Sequence, residues 1–191
     1  MSINSWQETI INAAVDGAAL SNSSSATSIL GGSGTGASQA KVTLPANYFQ
    51  IGKMLRITST GRISTLVTSP GTLTLDIRFG AVIVANGGAM TLSTTAKTNV
   101  SWHMQWLLTC RAIGSGTTAN MMHTGFWQSE AAGATTVSGE AKTILLPQSA
   151  PAVGTGFDST ASQTVDLFAT WSVANASNSI QTHQYMIESL N

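Results

Sequence analysis

From Lys41 onward the chain alternates apolar and polar positions in short runs. Leu73, Leu75, Ile77 and Phe79 alternate with Thr74, Asp76 and Arg78. Trp102, Met104, Trp106, Leu108 and Cys110 alternate with His103, Gln105, Thr109 and Arg111, with Leu107 breaking the polar row. Val165, Leu167, Ala169, Trp171 and Val173 repeat the pattern, and Ile180 to Leu190 forms a last strand in which Tyr185 and Ile187 oppose Met186 and Glu188. Period two places one set of side chains on a buried face and the other outside. Shorter strands are expected over Met54 to Thr60, Ala81 to Ala85, Ala119 to Ser129 and Thr143 to Leu146. Asn86-Gly87-Gly88, Gly114-Ser115-Gly116 and the stretch Asn175 to Asn178 read as turns, because Gly and Asn tolerate positive φ. No amphipathic helix and no internal repeat is seen after residue 41. Such a run of strands with Gly-rich turns predicts an all-β fold, an antiparallel jelly-roll β-sandwich (TNF-like) over residues 41–191. The tryptophans Trp102, Trp106 and Trp171 are then core residues.

Residues 1–40 differ in character. They carry only two charges, Glu8 and Asp16, and end in Gly31-Gly32-Ser33-Gly34-Thr35-Gly36. This segment reads as an extended N-terminal arm followed by a Gly/Ser-rich linker. Trp6, Ile10, Ile11 and Val15 are its apolar anchors. A neutral arm with such anchors packs on its own domain or on a neighbouring subunit.

Composition sharpens this picture. The 191 residues suit one domain with an arm. Charged residues make up 8% of the chain, against roughly 25% in an ordinary soluble protein, and the net charge is zero. Little repulsion is left between copies, and near-neutral surfaces associate. A basic footprint for nucleic acid is missing. No apolar run is long enough for a transmembrane helix, so no membrane partner is expected. The start of the chain lacks the pattern of a secretory signal, and a single cysteine, Cys110, gives no internal disulfide. The sequons at Asn22, Asn99 and Asn175 read as chance occurrences.

Candidate chemistry is sparse. There is no G-x-S-x-G nucleophile elbow, and the Gly-rich stretch lacks the G-K-[ST] ending of a phosphate loop. His103, His123 and His183 have no metal-ligand spacing and read as separate polar or hydrogen-bonded residues. Asp76, Asp158 and Asp166 show no pairing of the kind glycoside chemistry needs. Gly156-Phe157-Asp158-Ser159 reads as a turn in which Asp158 holds backbone N–H groups. Cys110 reads as an inert buried thiol. No catalytic residue, metal or cofactor is assigned. Phe126 and Trp127 must point to opposite faces of one strand, so one of them lies outside the core. Trp127 is taken as the outward one, as a subunit contact or a platform for sugar.

Several strings resemble virion proteins of tailed bacteriophages. They are Leu44-Pro45-Ala46-Asn47-Tyr48-Phe49, Gly52-Lys53-Met54-Leu55-Arg56-Ile57, Gly61-Arg62-Ile63, Pro70 to Arg78 and Asn86 to Met90. The tail from Gly154-Thr155-Gly156-Phe157-Asp158 through Trp171 to Asn191 belongs with them. These are turn-and-strand signatures, covering most of residues 42–191. The resemblance implies a jelly-roll structural protein of the phage particle, of capsid decoration (cement) or fibre type, often trimeric. It carries no catalytic residue.

The expectation is a virion protein, assembled in the host cytoplasm, that decorates or cements the capsid as a homo-oligomer, with a trimer favoured. Its partners would be copies of itself and the major capsid protein or another virion protein, through an interface that includes Trp6, Ile10, Ile11 and Trp127. The alternative is a receptor- or carbohydrate-binding jelly roll of a tail or fibre. A jelly-roll enzyme of the cupin type would need a cluster of His and carboxylate ligands that the sequence does not show.

Overall fold

A computed structural model of the chain describes residues 7–31, 41–133 and 139–190. Within them every regular element is a β-strand: β1 (Glu8–Asn12), β2 (Leu20–Ser21), β3 (Thr27–Ser28), β4 (Val42–Leu44), β5 (Met54–Thr65), β6 (Thr72–Phe79), β7 (Val82–Asn86), β8 (Met90–Thr91), β9 (Lys97–Ala112), β10 (Asn120–Ser129), β11 (Lys142–Leu146), β12 (Gln163–Trp171) and β13 (Ser179–Ser189). They form two antiparallel sheets. The larger has the order β1-β13-β5-β9-β10-β11, with β2 beside β13. The smaller has the order β3-β12-β6-β7, with β4 beside β12 and β8 beside β6. The orders β1-β13-β5-β9 and β4-β12-β6-β7 are those of a jelly roll, in which consecutive strands cross between sheets. The β10–β11 hairpin widens the larger sheet beyond that plan.

The expected alternations hold where they are longest. Trp102, Met104, Trp106, Leu108 and Cys110 of β9 all point inward, as do Leu73, Leu75, Ile77 and Phe79 of β6. On β12 and β13, Val165, Leu167, Ala169, Trp171, Ile180, Tyr185 and Ile187 are buried. Phe49, Phe79 and Phe157 pack at ring distances of 4.9 to 5.3 Å. Each buried indole removes roughly 200 Å² of surface from water, about 5 kcal/mol before entropy is counted.

The described part of the N-terminal arm belongs to the domain. β1 pairs with β13, β2 with β13, and β3 with β12, so residues 8–28 contribute to both sheets. Leu20, Ile29 and Leu30 are buried in the core. Backbone bonds fix the segment: Gly17 N–H donates to Thr182 O at 2.9 Å and Ile29 N–H to Leu167 O at 3.0 Å. The segment closes one side of the sandwich. The expected linker after Gly31 lies outside the described residues.

The opposite side is closed by residues 153–157. Val153 bridges to Met122 and Phe157 to Ala119. Gly154 N–H donates to Met121 O at 2.9 Å, and Thr155 N–H to Ile83 O at 3.2 Å. A Cβ at Gly154 would fall 1.9 Å from Val84 O, so only glycine lets the segment reach both sheets.

Candidate functional site

The outer face of the larger sheet is built from the outward positions of β13, β5, β9, β10 and β11. Its middle is uncharged. One row across the strands reads Met186, Thr58, Gln105, Phe126, Leu145. The next reads Gln184, Thr60, His103, Gln128, Thr143. Charge flanks these rows. On one side Arg56 Nε meets Glu188 Oε2 at 2.6 Å, and Gln7 also donates to Glu188. That hydrogen bond from Arg56 holds the Glu188 carboxyl below its ordinary range. On the other side Arg62 Nη2 donates to Gln181 Oε1 at 2.8 Å.

A cleft of about 450 Å³ opens on this face, lined by Thr60, Ser101, His103, Gln128, His183 and Gln184 among others. A bulge in β13 between Thr182 and Gln184 sets His183 on its wall. Asp16 Oδ1 lies 2.9 Å from His183 Nδ1, which leaves Nε2 as the ring's second polar atom. Trp102 forms part of the floor and donates Nε1–H to Arg62 O and Gln181 O, both at 3.2 Å. The lining offers hydroxyls, amides and imidazoles, a set suited to a neutral polyhydroxyl ligand.

The outer face of the smaller sheet is built differently. Lys41 Nζ lies 2.7 Å from Asp166 Oδ2, while Ser28 Oγ–H and Leu167 N–H donate to Asp166 Oδ1 at 2.7 and 2.9 Å. Arg78 Nε meets Asp76 Oδ1 at 2.5 Å, and its guanidinium lies 3.9 Å from the Phe168 ring centre. Both carboxylates are buried.

Of the expected interface residues, Ile10 and Ile11 lie half-buried on β1 and pack against the subunit's own core. Trp6 lies outside the described residues. Trp127 is corrected: it is fully buried, and the outward member of the pair is Phe126, whose ring centre lies 5.7 Å from that of His103. The physical reason is register. Trp127 pairs with Met104, an inward residue, and so shares its side of the sheet. Asp158 holds a turn as expected, accepting from Thr160 N–H at 2.9 Å and Thr160 Oγ1–H at 2.6 Å. The Thr160 hydroxyl is the main cause of its lowered pKa. Burial pushes the Cys110 thiol up, away from its reactive form. Among the described residues no three His, Cys, Asp or Glu lie close enough to hold a metal. Two of the three histidines, His103 outward on β9 and His183 at the bulge, line the same cleft, while His123 points inward on β10.

No protein-family model matches the chain, and no curated protein matches it. Among solved structures, the chain is similar to the CBM2 module of an evolved Dit from Lactobacillus casei BL23 phage J-1. Identity is 11% and the TM-score 0.30, over 78% of this chain and 67% of the other. So distant a likeness assigns no activity.

Proposed function

We propose that the chain is a structural protein of a tailed-phage particle that assembles with copies of itself through the outer face of the larger sheet. The observation that carries this reading is the uncharged middle of that face, where Thr58, Gln105, Phe126 and Leu145 stand in one row. Leu145 is 69% exposed on the edge strand β11, and no ion pair has to be broken to cover the row. A closed ring of copies would also cover β1 and β11, the edge strands of the larger sheet among the described residues. Resemblance of the turn-and-strand strings to phage virion proteins supports the placement in a particle. The test is the mass of the free protein with and without Gln105→Glu, which puts a charge in the middle of the row. Dissociation by the substitution supports the reading, and a monomeric native chain removes it.

Two positions in the particle compete. Capsid decoration needs a flat contact surface. Receptor or carbohydrate binding at a tail or fibre needs a recess, and the 450 Å³ cleft with Thr60, Gln128 and Gln184 on its wall favours that second reading. Labelling of intact particles decides between head and tail, and a glycan array tests the cleft.

A further inference from the structure

His103 and His183 line one cleft on the outer face of the larger sheet, but only one of them has a counter-charge at hand. His103 is half-buried on β9. It pairs with Thr60 of β5 on one side and with Gln128 of β10 on the other, and Thr143 of β11 lies beyond Gln128. The Phe126 ring stands 5.7 Å from its own, centre to centre. From β13 the cleft takes His183 and Gln184. Among the described residues no Asp or Glu lines it.

The charged groups nearby are engaged or of the wrong sign. Asp16 Oδ1 lies 2.9 Å from His183 Nδ1, so a proton on His183 finds a carboxylate of its own chain. Arg62 follows Thr60 on the same face of β5, is itself a cation, and donates to Gln181. Glu188 is held by Arg56 and Gln7, and the row of Thr58 and Gln105 separates it from the row of His103. Glu8 is exposed on β1 at the margin of the sheet. An imidazolium at His103 therefore stands alone among hydroxyls, amides and a phenyl ring. In water that costs little. Under a second copy the water is lost and the charge has no partner, which makes it among the costliest groups to cover. The middle rows of that copy bring no carboxylate either.

We propose that His103 makes assembly through this face reversible by acid: the neutral ring is covered with the uncharged rows, and the protonated ring drives the copies apart. Histidine changes its charge between about pH 5 and 8, a range in which carboxylates keep theirs. The proposal rests on the reading that copies meet through this face, and adds the condition under which they part.

The test is the mass of the full chain by light scattering at about pH 7.5 and about pH 5.5, either side of the histidine range, with near-ultraviolet circular dichroism to show that the subunit stays folded. A multiple of 19.7 kDa is expected at the higher pH, and association weaker by roughly tenfold for each covered imidazole at the lower. NMR of the histidine rings should show His103 gaining its proton as the mass falls. His103→Gln should remove the dependence of mass on pH; should that variant fail to assemble at the higher pH, the ring titration of the native chain decides alone. A mass that stays at the same multiple in acid, or a His103 ring protonated within the intact assembly, overturns this proposal and leaves the contact face standing. A His103→Gln chain that still comes apart in acid overturns the role of His103. The mass of a single subunit at both pH values overturns the contact face, and this proposal with it.

Discussion

The two outer faces of the sandwich solve the same problem in opposite ways. On the smaller sheet the polar groups satisfy one another. Asp166 is shared among Lys41, Ser28 and the Leu167 amide, and Asp76 holds Arg78 over Phe168. A partner landing there would have to break or bury ion pairs, at a desolvation cost that rarely yields net affinity. On the larger sheet the middle rows carry Thr, Gln and His side chains with Met186, Phe126 and Leu145 among them, and no Lys, Arg, Asp or Glu. Covering that face costs little desolvation of charge. A chain with few charged residues thus sets ion pairs across the smaller sheet's face, while on the larger sheet the Arg56–Glu188 pair stands to one side of uncharged middle rows.

That contrast can be broken from either side. The largest effect on stability is expected from Asp166→Ala, which strips Lys41, Ser28 and the Leu167 amide of their acceptor. The expected loss is about 2 kcal/mol in urea denaturation, below the full cost of breaking a buried pair because the Lys41 side chain is 31% exposed. The oligomer mass of the refolded variant should not change. Gln105→Glu is the mirror experiment. Its effect on subunit stability should stay within about 0.5 kcal/mol, as for an ordinary surface change, while the assembly dissociates. If both variants alter stability and mass alike, the two faces do not differ in the way described.

Acid should act inside the larger sheet, at His123. In the unfolded chain His123 takes up a proton near its ordinary value of 6.5, while in the folded chain burial delays this to lower pH. The unfolded state therefore binds more protons just below 6.5, and stability falls as pH drops through that value. The expected slope is at most about 1.4 kcal/mol per pH unit, and His123→Gln should flatten it. A second decline belongs to Glu188, whose lowered pKa adds stability that is lost only as pH falls below its ordinary 4.5. The smallest effect is that of salt. With no charge in the middle rows, raising sodium chloride from low to physiological levels should leave the assembly mass unchanged in light scattering.

The long strands were legible because their alternation is strict. In β6 all the apolar residues, and in β9 all but Leu107, fall on one parity, and one face can only be the core. In β10 neither parity wins: Met121, His123, Gly125 and Trp127 share one face, and Met122, Thr124 and Phe126 the other. The inward face there is set by pairing with β9 across the sheet, which no local pattern reports. This is why Trp127 was expected outside and is found inside. His123 escaped for the same reason, since a histidine on a strand reads as a polar-face residue until its register is known. The N-terminal strands were hidden by brevity. β2 and β3 are two residues each, too short to show any period, and their places come from contacts with β13 and β12 far along the chain. The cleft was invisible in the sequence because it depends on a bulge in β13 that moves His183 beside residues of three other strands.

The most direct test of the account is the mass of the native chain in solution at micromolar concentration. A closed assembly held by the uncharged rows predicts a multiple of the 19.7 kDa subunit, three copies being the expected number. A particle of 19.7 kDa at every concentration would contradict it.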